Sequence, residues 1–355
     1  MIIAPARTRS SWCASSMAKN SSSAPSSARP SCLGISFVSP NAISDGEGGV
    51  LVTGGAGFVG TVLVGLLRQH QPVVVVDDLS VGRPMPAQTD GLICYQADIR
   101  DRQAMIAIME CHRPASLVHL AAIHHIPTCE RDPFHATDVN VMGFQSVLDA
   151  CAKTGCRHVV LASSGAVYDW HDGPLAENAA LAPQDVYAAS KAANEHQLAA
   201  WAKAGRGAGI IARMFNVIGP NDPNGHLIPD LLRRMDAAPG GPLTLRMGNL
   251  DRRRDFVDVN DMAAGLACLV GRHSTDIDVY NLCSGREYSA SDIALRLAAH
   301  RGAQVELFSD PALCRVMDRT SQLGDPGKSF RDFGWRADRD LDDSIAAIVR
   351  TWTAN

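Results

Sequence analysis

No apolar run in this 355-residue chain reaches the ~18 residues that a membrane-spanning helix needs. No C-x-x-C occurs either. The ten cysteines stand singly, with Cys151 and Cys156 the closest two. Thiols scattered in this way in a long chain read as buried or incidental, and the compartment as reducing. Charge of one sign is lacking too. Lys and Arg number 33 against 37 Asp and Glu, a net −4, which leaves no electrostatic footprint for nucleic acid or an anionic membrane. The basic run Arg252-Arg253-Arg254 is bounded by Asp251 and Asp255, and reads as a solvated loop or a local phosphate contact. Residues 1–47 contain no acid before Asp45 and are rich in Ser, Ala and Pro. Such a composition builds no core. It fits a disordered extension, a wrongly chosen start with Met17 as another, or a transit peptide.

What is present begins after Gly49. Short β-branched runs alternate with longer helical stretches, the pattern of βαβ units and a parallel sheet buried on both faces. The pattern predicts strands at 50–53, 73–77, 92–96, 117–120, 159–162 and 210–214, with helices at 59–69, 102–111, 138–153 and 187–204. The fold class is therefore α/β, a doubly wound parallel sheet, with its ligand beyond the carboxyl ends of the strands. From Asn216 the rhythm weakens. Helices near 228–235, 261–271 and 290–301 and a strand near 243–247 suggest a smaller C-terminal lobe. The expected division is 1–47 as an extension, 48–215 as the dinucleotide-binding domain and 216–355 as mainly substrate-binding, with segments near 243–285 returning to the first domain.

Val50 to Gly60 read VLVTGGAGFVG, a strand, a glycine loop and a helix start. Glycines allow the backbone to approach a pyrophosphate, and the helix N-terminus offers it unsatisfied N–H groups. Asp77 ends the second predicted strand about 20 residues past the loop, where a carboxylate accepts from both ribose hydroxyls and repels a 2′-phosphate. This favours NAD over NADP. Arg83 lies far into the following loop for the opposite role. Asp98-Ile99 is read as ending the third strand, a place for adenine contact, with capping of the next helix as its other role.

Tyr187 and Lys191 are four residues apart and share a helix face. An ammonium there can stabilise a phenolate, and a phenolate can take a proton from a substrate hydroxyl. Ser163 and Ser164 end a buried strand, 23 residues before Tyr187 in the case of Ser164. That interval lets the two hydroxyls meet. His119, His124 and His125 supply no helical i, i+4 pair and no evident carboxylate, so no metal site is read from them.

With Thr53-Gly-Gly-Ala-Gly57-Phe-Val-Gly60, Asp77, His119-Leu-Ala-Ala122, Asn140, Ser163-Ser164, Tyr187-x-x-x-Lys191 and Arg213-Met-Phe-Asn216-Val-Ile-Gly-Pro220, the chain resembles the extended short-chain dehydrogenase/reductase family. That family includes nucleotide-sugar epimerases, dehydratases and reductases. The resemblance runs from about residue 48 to the C-terminus. It implies Tyr187 as general base, Lys191 on the nicotinamide ribose and Ser164 on the sugar hydroxyl. Gly54, Gly57, Phe58, Val59, Gly60, Asp77, Asp98, Ile99, Ala121, Ala122, Asn140, Ser163 and Phe215 would line NAD, with His124 a cofactor or substrate contact. Asn216, His226, Arg254 and Arg319 would hold the nucleotide diphosphate of a nucleotide-sugar substrate. A homodimer through helices 138–153 and 187–204 and a cytoplasmic location are further expectations, the extension leaving organellar targeting open.

Family members that eliminate water carry Asp-Glu where this chain has Gly165 and Ala166. Elimination needs a donor and a base, so hydride transfer alone remains. That means 4-epimerisation, or reduction of a 4-keto sugar. The segments 248–256 and 323–328 resemble the GDP-mannose branch, which leaves both UDP and GDP open and keeps a 4-keto-6-deoxy reductase, or less readily a non-catalytic NAD-binding protein, as the alternative.

Overall fold

β-Branched runs set the framework. In the computed structural model, which describes residues 48–81, 84–237, 242–272, 274–314 and 318–352, strands β1 (Val50–Thr53) and β2 (Val73–Asp77) are buried along their whole length. Residues 1–47 and Arg83 fall outside the described residues. Helix α1 (Phe58–Leu67) joins these strands, and β3 (Leu92–Gln96), α2 (Arg102–His112) and β4 (Ser116–His119) follow. Two short helices, α3 (Ile126–Arg131) and α4 (Pro133–Thr137), and a π-helical turn at Asp138–Met142 lead into α5 (Gly143–Thr154). Then come β5 (His158–Ser164), the short β6 (Pro174–Leu175), α6 (Val186–Lys203) and β7 (Ala208–Met214).

Side-chain alternation explains why the sheet is covered on both faces. Val50, Val52, Val73 and Val75 enter one core with Leu63 and Leu266, while Leu51, Val74 and Val76 enter the other with Phe144, Leu148 and Leu198. The remaining elements are β8 (Asn216–Ile218), α7 (Leu227–Asp236), β9 (Leu243–Met247), β10 (Arg253–Asp258), α8 (Val259–Val270), β11 (Ile277–Leu282), β12 (Glu287–Ser289), α9 (Ala290–Arg301), β13 (Val305–Ser309), β14 (Leu323–Gly324), α10 (Gly327–Phe333) and α11 (Leu341–Thr351).

The main sheet has seven parallel strands in the order β11-β7-β5-β4-β1-β2-β3. The order reverses between β1 and β4, and a crevice opens there at the carboxyl ends. A separate core, with Ile228, Leu231 and Leu232 against Leu245, Ile293, Leu297 and Ile345, holds the C-terminal elements together.

Three expectations change. The arginine run is not a solvated loop: Arg253 and Arg254 open β10, and Arg253 pairs across to Glu287 of β12 at 2.9 Å. Strand β3 stops at Gln96, two residues short of Asp98. The helix expected at 138–153 starts as a π turn and becomes regular only at Gly143.

Candidate active site

The crevice starts at the glycine loop. Gly54 has φ +71, and its N–H donates to Val76 O at 2.8 Å. A Cβ on Gly54 would lie 2.6 Å from Ala121 N, and one on Gly60 only 2.2 Å from Gly54 O. Both positions therefore require glycine. Gly57 is the N-cap of α1, no acid stands in the first turn, and the N–H groups of Phe58, Val59 and Gly60 have no intrahelical acceptor. Asp77 closes the loop. One carboxylate oxygen accepts from Ala56 N and the other from Leu79 N, both at 2.9 Å. Burial raises this carboxyl, and the two N–H bonds oppose that. These residues fit a dinucleotide: a backbone bare of Cβ atoms, a helix N-terminus and an oriented carboxylate at the strand end. Gly54→Ala is expected to cut nicotinamide cofactor retained on purification by at least about tenfold, since a left-handed non-glycine costs ~1–2 kcal/mol before the clash with Ala121 is relieved. Absorbance and mass analysis of the released cofactor, beside a far-ultraviolet spectrum, would check this.

On the far side, Asp98 forms an ion pair with Arg100 at 2.6 Å, and Arg100 also reaches Asp138 at 2.7 Å. The Arg100 hydrogen bonds hold the Asp98 carboxyl below its usual range. Ile99 is buried beneath Gly143. Asn140, in the π turn, grips the loop after β4 from both sides. Its Oδ1 accepts from Ile123 N at 2.8 Å, and its Nδ2 donates to Ile123 O and Ser190 Oγ, each at 2.9 Å. Its amide thus fixes the segment Ala121–His124 and ties it to α6. His119 is buried against Phe144, bonds Thr53 Oγ1 at 2.8 Å and is kept neutral by burial. Among the described residues, no group of His, Cys, Asp and Glu could hold a metal ion.

Helix α6 carries Tyr187 and Lys191, starting from Asp185, which caps Ala188 N at 2.7 Å. The Ser164 hydroxyl neighbours the Tyr187 phenol and favours its ionised form. Ser164 in turn accepts from Ala166 N at 3.1 Å, which fixes its hydroxyl. Burial pushes the Tyr187 phenol up to about 12, and the neighbouring Ser164 hydroxyl pulls against it. The spacing argument had Lys191 at the phenol. Instead its Nζ lies 6.0 Å from the ring centroid and donates to Ala162 O at 2.9 Å, and burial lowers it to about 8. The turn after Ser164 holds no acid. A Cβ on Gly165 would meet Phe215 Cζ at 3.0 Å and Gln322 Nε2 at 3.1 Å.

Ser163 faces the other way. Its hydroxyl donates to Glu195 Oε1 at 2.5 Å, and Arg213 binds the same carboxylate through Nε at 3.0 Å and Nη2 at 2.7 Å. Arg213 also lies over the Tyr168 ring at 4.6 Å, and the Tyr168 hydroxyl donates to Asn281 at 2.6 Å. Sequence reasoning passed over Glu195. The signal was there: it stands four residues beyond Lys191 and eight beyond Tyr187, on the same helix face.

The residues expected to meet a substrate have these partners. Asn216 donates to Asp255 O at 3.1 Å. His226 bonds Asp222 at 2.9 Å, and its ring lies 5.2 Å from that of His124. Burial, and then the neighbouring His226, lower His124 to about 4. Arg254 reaches Asp318 at 2.6 Å, and Arg319 is anchored to the turn after Ser164.

Comparison with known proteins gives the same picture. Residues 50–283 match the NAD dependent epimerase/dehydratase family. The chain is 28% identical over 310 residues to the GDP-6-deoxy-D-mannose reductase of Pseudomonas aeruginosa, covering 85% of this chain and 96% of that protein. It is 28% identical over 322 residues to the UDP-glucose 4-epimerase of Lactobacillus helveticus, covering 85% and 96%. The solved UDP-glucose 4-epimerase of Thermus thermophilus, complexed with NAD, superposes with a TM-score of 0.77 at 29% identity and covers 85% of this chain and 98% of that one.

Proposed function

We propose that this chain, which belongs to the NAD dependent epimerase/dehydratase family, is an NAD-dependent nucleotide-sugar 4-epimerase. The observation that carries the reading is Tyr187 beside a Ser164 hydroxyl that Ala166 N fixes at 3.1 Å, next to a turn, Gly165-Ala166, that has no further proton-handling group. NAD, when bound, would supply the acceptor and then the donor of a hydride at C4. Tyr187 takes the proton of the sugar 4-hydroxyl and later gives one back to the same oxygen. Ser164, fixed by Ala166 N, holds that oxygen in line. Lys191, held by Ala162 O, is assigned in the family's manner as a donor to the cofactor ribose. The 4-keto sugar turns over between the two transfers, and no proton is drawn from C5.

Gly54, Gly57, Phe58, Val59, Gly60, Asp77, Asp98, Ile99, Ala121, Ala122 and Phe215 are assigned to the cofactor wall. Asn140 serves that wall by positioning its backbone, and Ser163 is assigned to it from the end of β5. Asn216, His226 and Arg254 are assigned to the nucleotide diphosphate, a charge that needs guanidinium partners when buried. The test is incubation of the purified chain with UDP- and GDP-hexoses and no added cofactor. C4 inversion is expected on one of them. Retained NAD without inversion on any sugar of a broad panel would sink the proposal.

The relative in Pseudomonas aeruginosa supports a second reading, a 4-keto-6-deoxy nucleotide-sugar reductase. That enzyme would consume added reduced nicotinamide stoichiometrically with a 4-keto substrate, whereas an epimerase would not.

A second copy of this chain is the partner we assign to the outer face of α5 and α6. Gln197 of α6 bonds Gln145 of α5 at 3.1 Å, so the helices lie side by side, and Phe134 and Met142 beside them are exposed. No helix of the described residues is long and apolar enough to cross a membrane. The eight free thiols among the described residues support the cytoplasm as the location.

A further inference from the structure

One cation beside the reacting turn has a bonding atom with no partner. Arg319 is 9% exposed. Its Nη2 donates to Tyr168 O at 2.9 Å and to Ala166 O at 3.4 Å, while its Nη1 is buried with no hydrogen-bond partner. A buried guanidinium with an unused donor carries a large desolvation cost unless an anion meets it. Among the described residues, no carboxylate lies within ion-pair distance of it. Burial, and then the charge of Arg254, lower its pKa to about 10. The two arginines therefore differ. Arg254 is already paired with Asp318 at 2.6 Å. Arg319 is held ready, with the Trp170 ring 5.9 Å from its guanidinium carbon.

Its anchors say which part of a substrate it meets. Ala166 and Tyr168 belong to the turn that follows Ser164, and Ala166 N is the donor that fixes the Ser164 hydroxyl. One short turn thus sets the serine for the C4 oxygen and, through the next carbonyls, sets Arg319. A substituent close to C4 on the sugar ring comes within reach of a group placed this way. The diphosphate leaves from C1, across the ring. A guanidinium fork matches a carboxylate in plane and spacing.

We propose that Arg319 binds a carboxylate carried by the sugar ring, so that the preferred substrate is a nucleotide-linked uronic acid and not a neutral hexose. This rests on the 4-epimerase reading and names its substrate class. A charge-assisted hydrogen bond to a buried partner corresponds to about 10- to 100-fold in affinity, which is the discrimination expected.

Calorimetric titration of the full chain tests the proposal without needing turnover. The probes are UDP-glucuronic acid against UDP-glucose, GDP-mannuronic acid against GDP-mannose, and UDP and GDP alone. On the accepted nucleotide, the wild type is expected to bind the uronate at least about tenfold more tightly than the neutral sugar. Arg319→Gln should abolish that ratio and Arg319→Lys restore part of it. No preference in the wild type overturns the proposal, and so does an Arg319→Gln variant that loses UDP or GDP alone as severely as the uronate, which would make the diphosphate the anion. The wild-type ratio decides even where Arg319→Gln does not fold. A uronate preference without C4 inversion would sink the epimerase reading and leave the Arg319 assignment standing.

Discussion

Tyr187→Phe is expected to lower the rate of C4 inversion by a factor of about 10²–10⁴, the usual contribution of a positioned acid–base group, while retained cofactor stays close to the wild-type level. The substitution removes one oxygen. Helix α6, its Asp185 cap and the ring's packing persist, and Ser164 keeps its bond from Ala166 N. The change therefore acts on proton transfer and not on the shape of the crevice. A pH profile sharpens the test. Burial raises the phenol to about 12, so its basic form is a minor species near neutrality and grows with pH. The wild-type rate should climb through that range, and the residual rate of the Phe variant should be flat. A Phe variant with more than about one-tenth of wild-type kcat would remove Tyr187 from the chemistry, since a general base contributes at least ~10²-fold.

The largest stability loss is expected behind the site, at the pair Glu195–Arg213. Their side chains are only 7% and 5% exposed, and Ser163 adds a third bond to the same carboxylate. Arg213→Met leaves that carboxylate buried without its cation, at a cost of ~3–5 kcal/mol. Replacing both partners, Glu195→Leu with Arg213→Met, should recover much of that loss, because two matched apolar side chains leave no orphaned charge. Urea unfolding of the single and double variants measures the difference. A single variant as stable as the double would show that the charges are not coupled. The double replacement also frees Ser163 at the end of β5, next to Ser164, so kcat should fall even where stability is recovered.

The central sheet was legible because burial on both faces leaves runs such as Val73–Val76 that have no other physical reading. Strands β1, β2 and β3 lie where the pattern puts them, and β4 and β5 each start one residue early. The C-terminal elements were harder. Strand β11 has partly exposed residues over its first half, and its place beside β7 depends on a long-range pairing that local sequence does not encode. Strand β10 begins with two arginines that look solvated until Glu287 and Asp318 are brought to them from 34 and 64 residues away. In the site, the glycine loop, Asp77, Ser164 and Tyr187 could be found because each role demands one residue type. The hydrogen bonds of Asn140 and Ser163, the carbonyl partner of Lys191 and the unmatched Nη1 of Arg319 are matters of direction, and composition and spacing carry no direction.

The tightness of Gly165 sets a boundary on what this scaffold can become. A Cβ on residue 165 would press on the tip of the Phe215 ring and on the Gln322 amide, each of which would have to give by a few tenths of an ångström. An engineer wishing to graft a carboxyl group there, to push the reaction onward from the ketone, would have to shift an aromatic ring that is itself assigned to the cofactor wall. The step from inverting a carbinol to expelling a neighbouring hydroxyl therefore has a steric cost as well as a chemical one in this protein, and a second change that makes room at Phe215 or Gln322 should ease it.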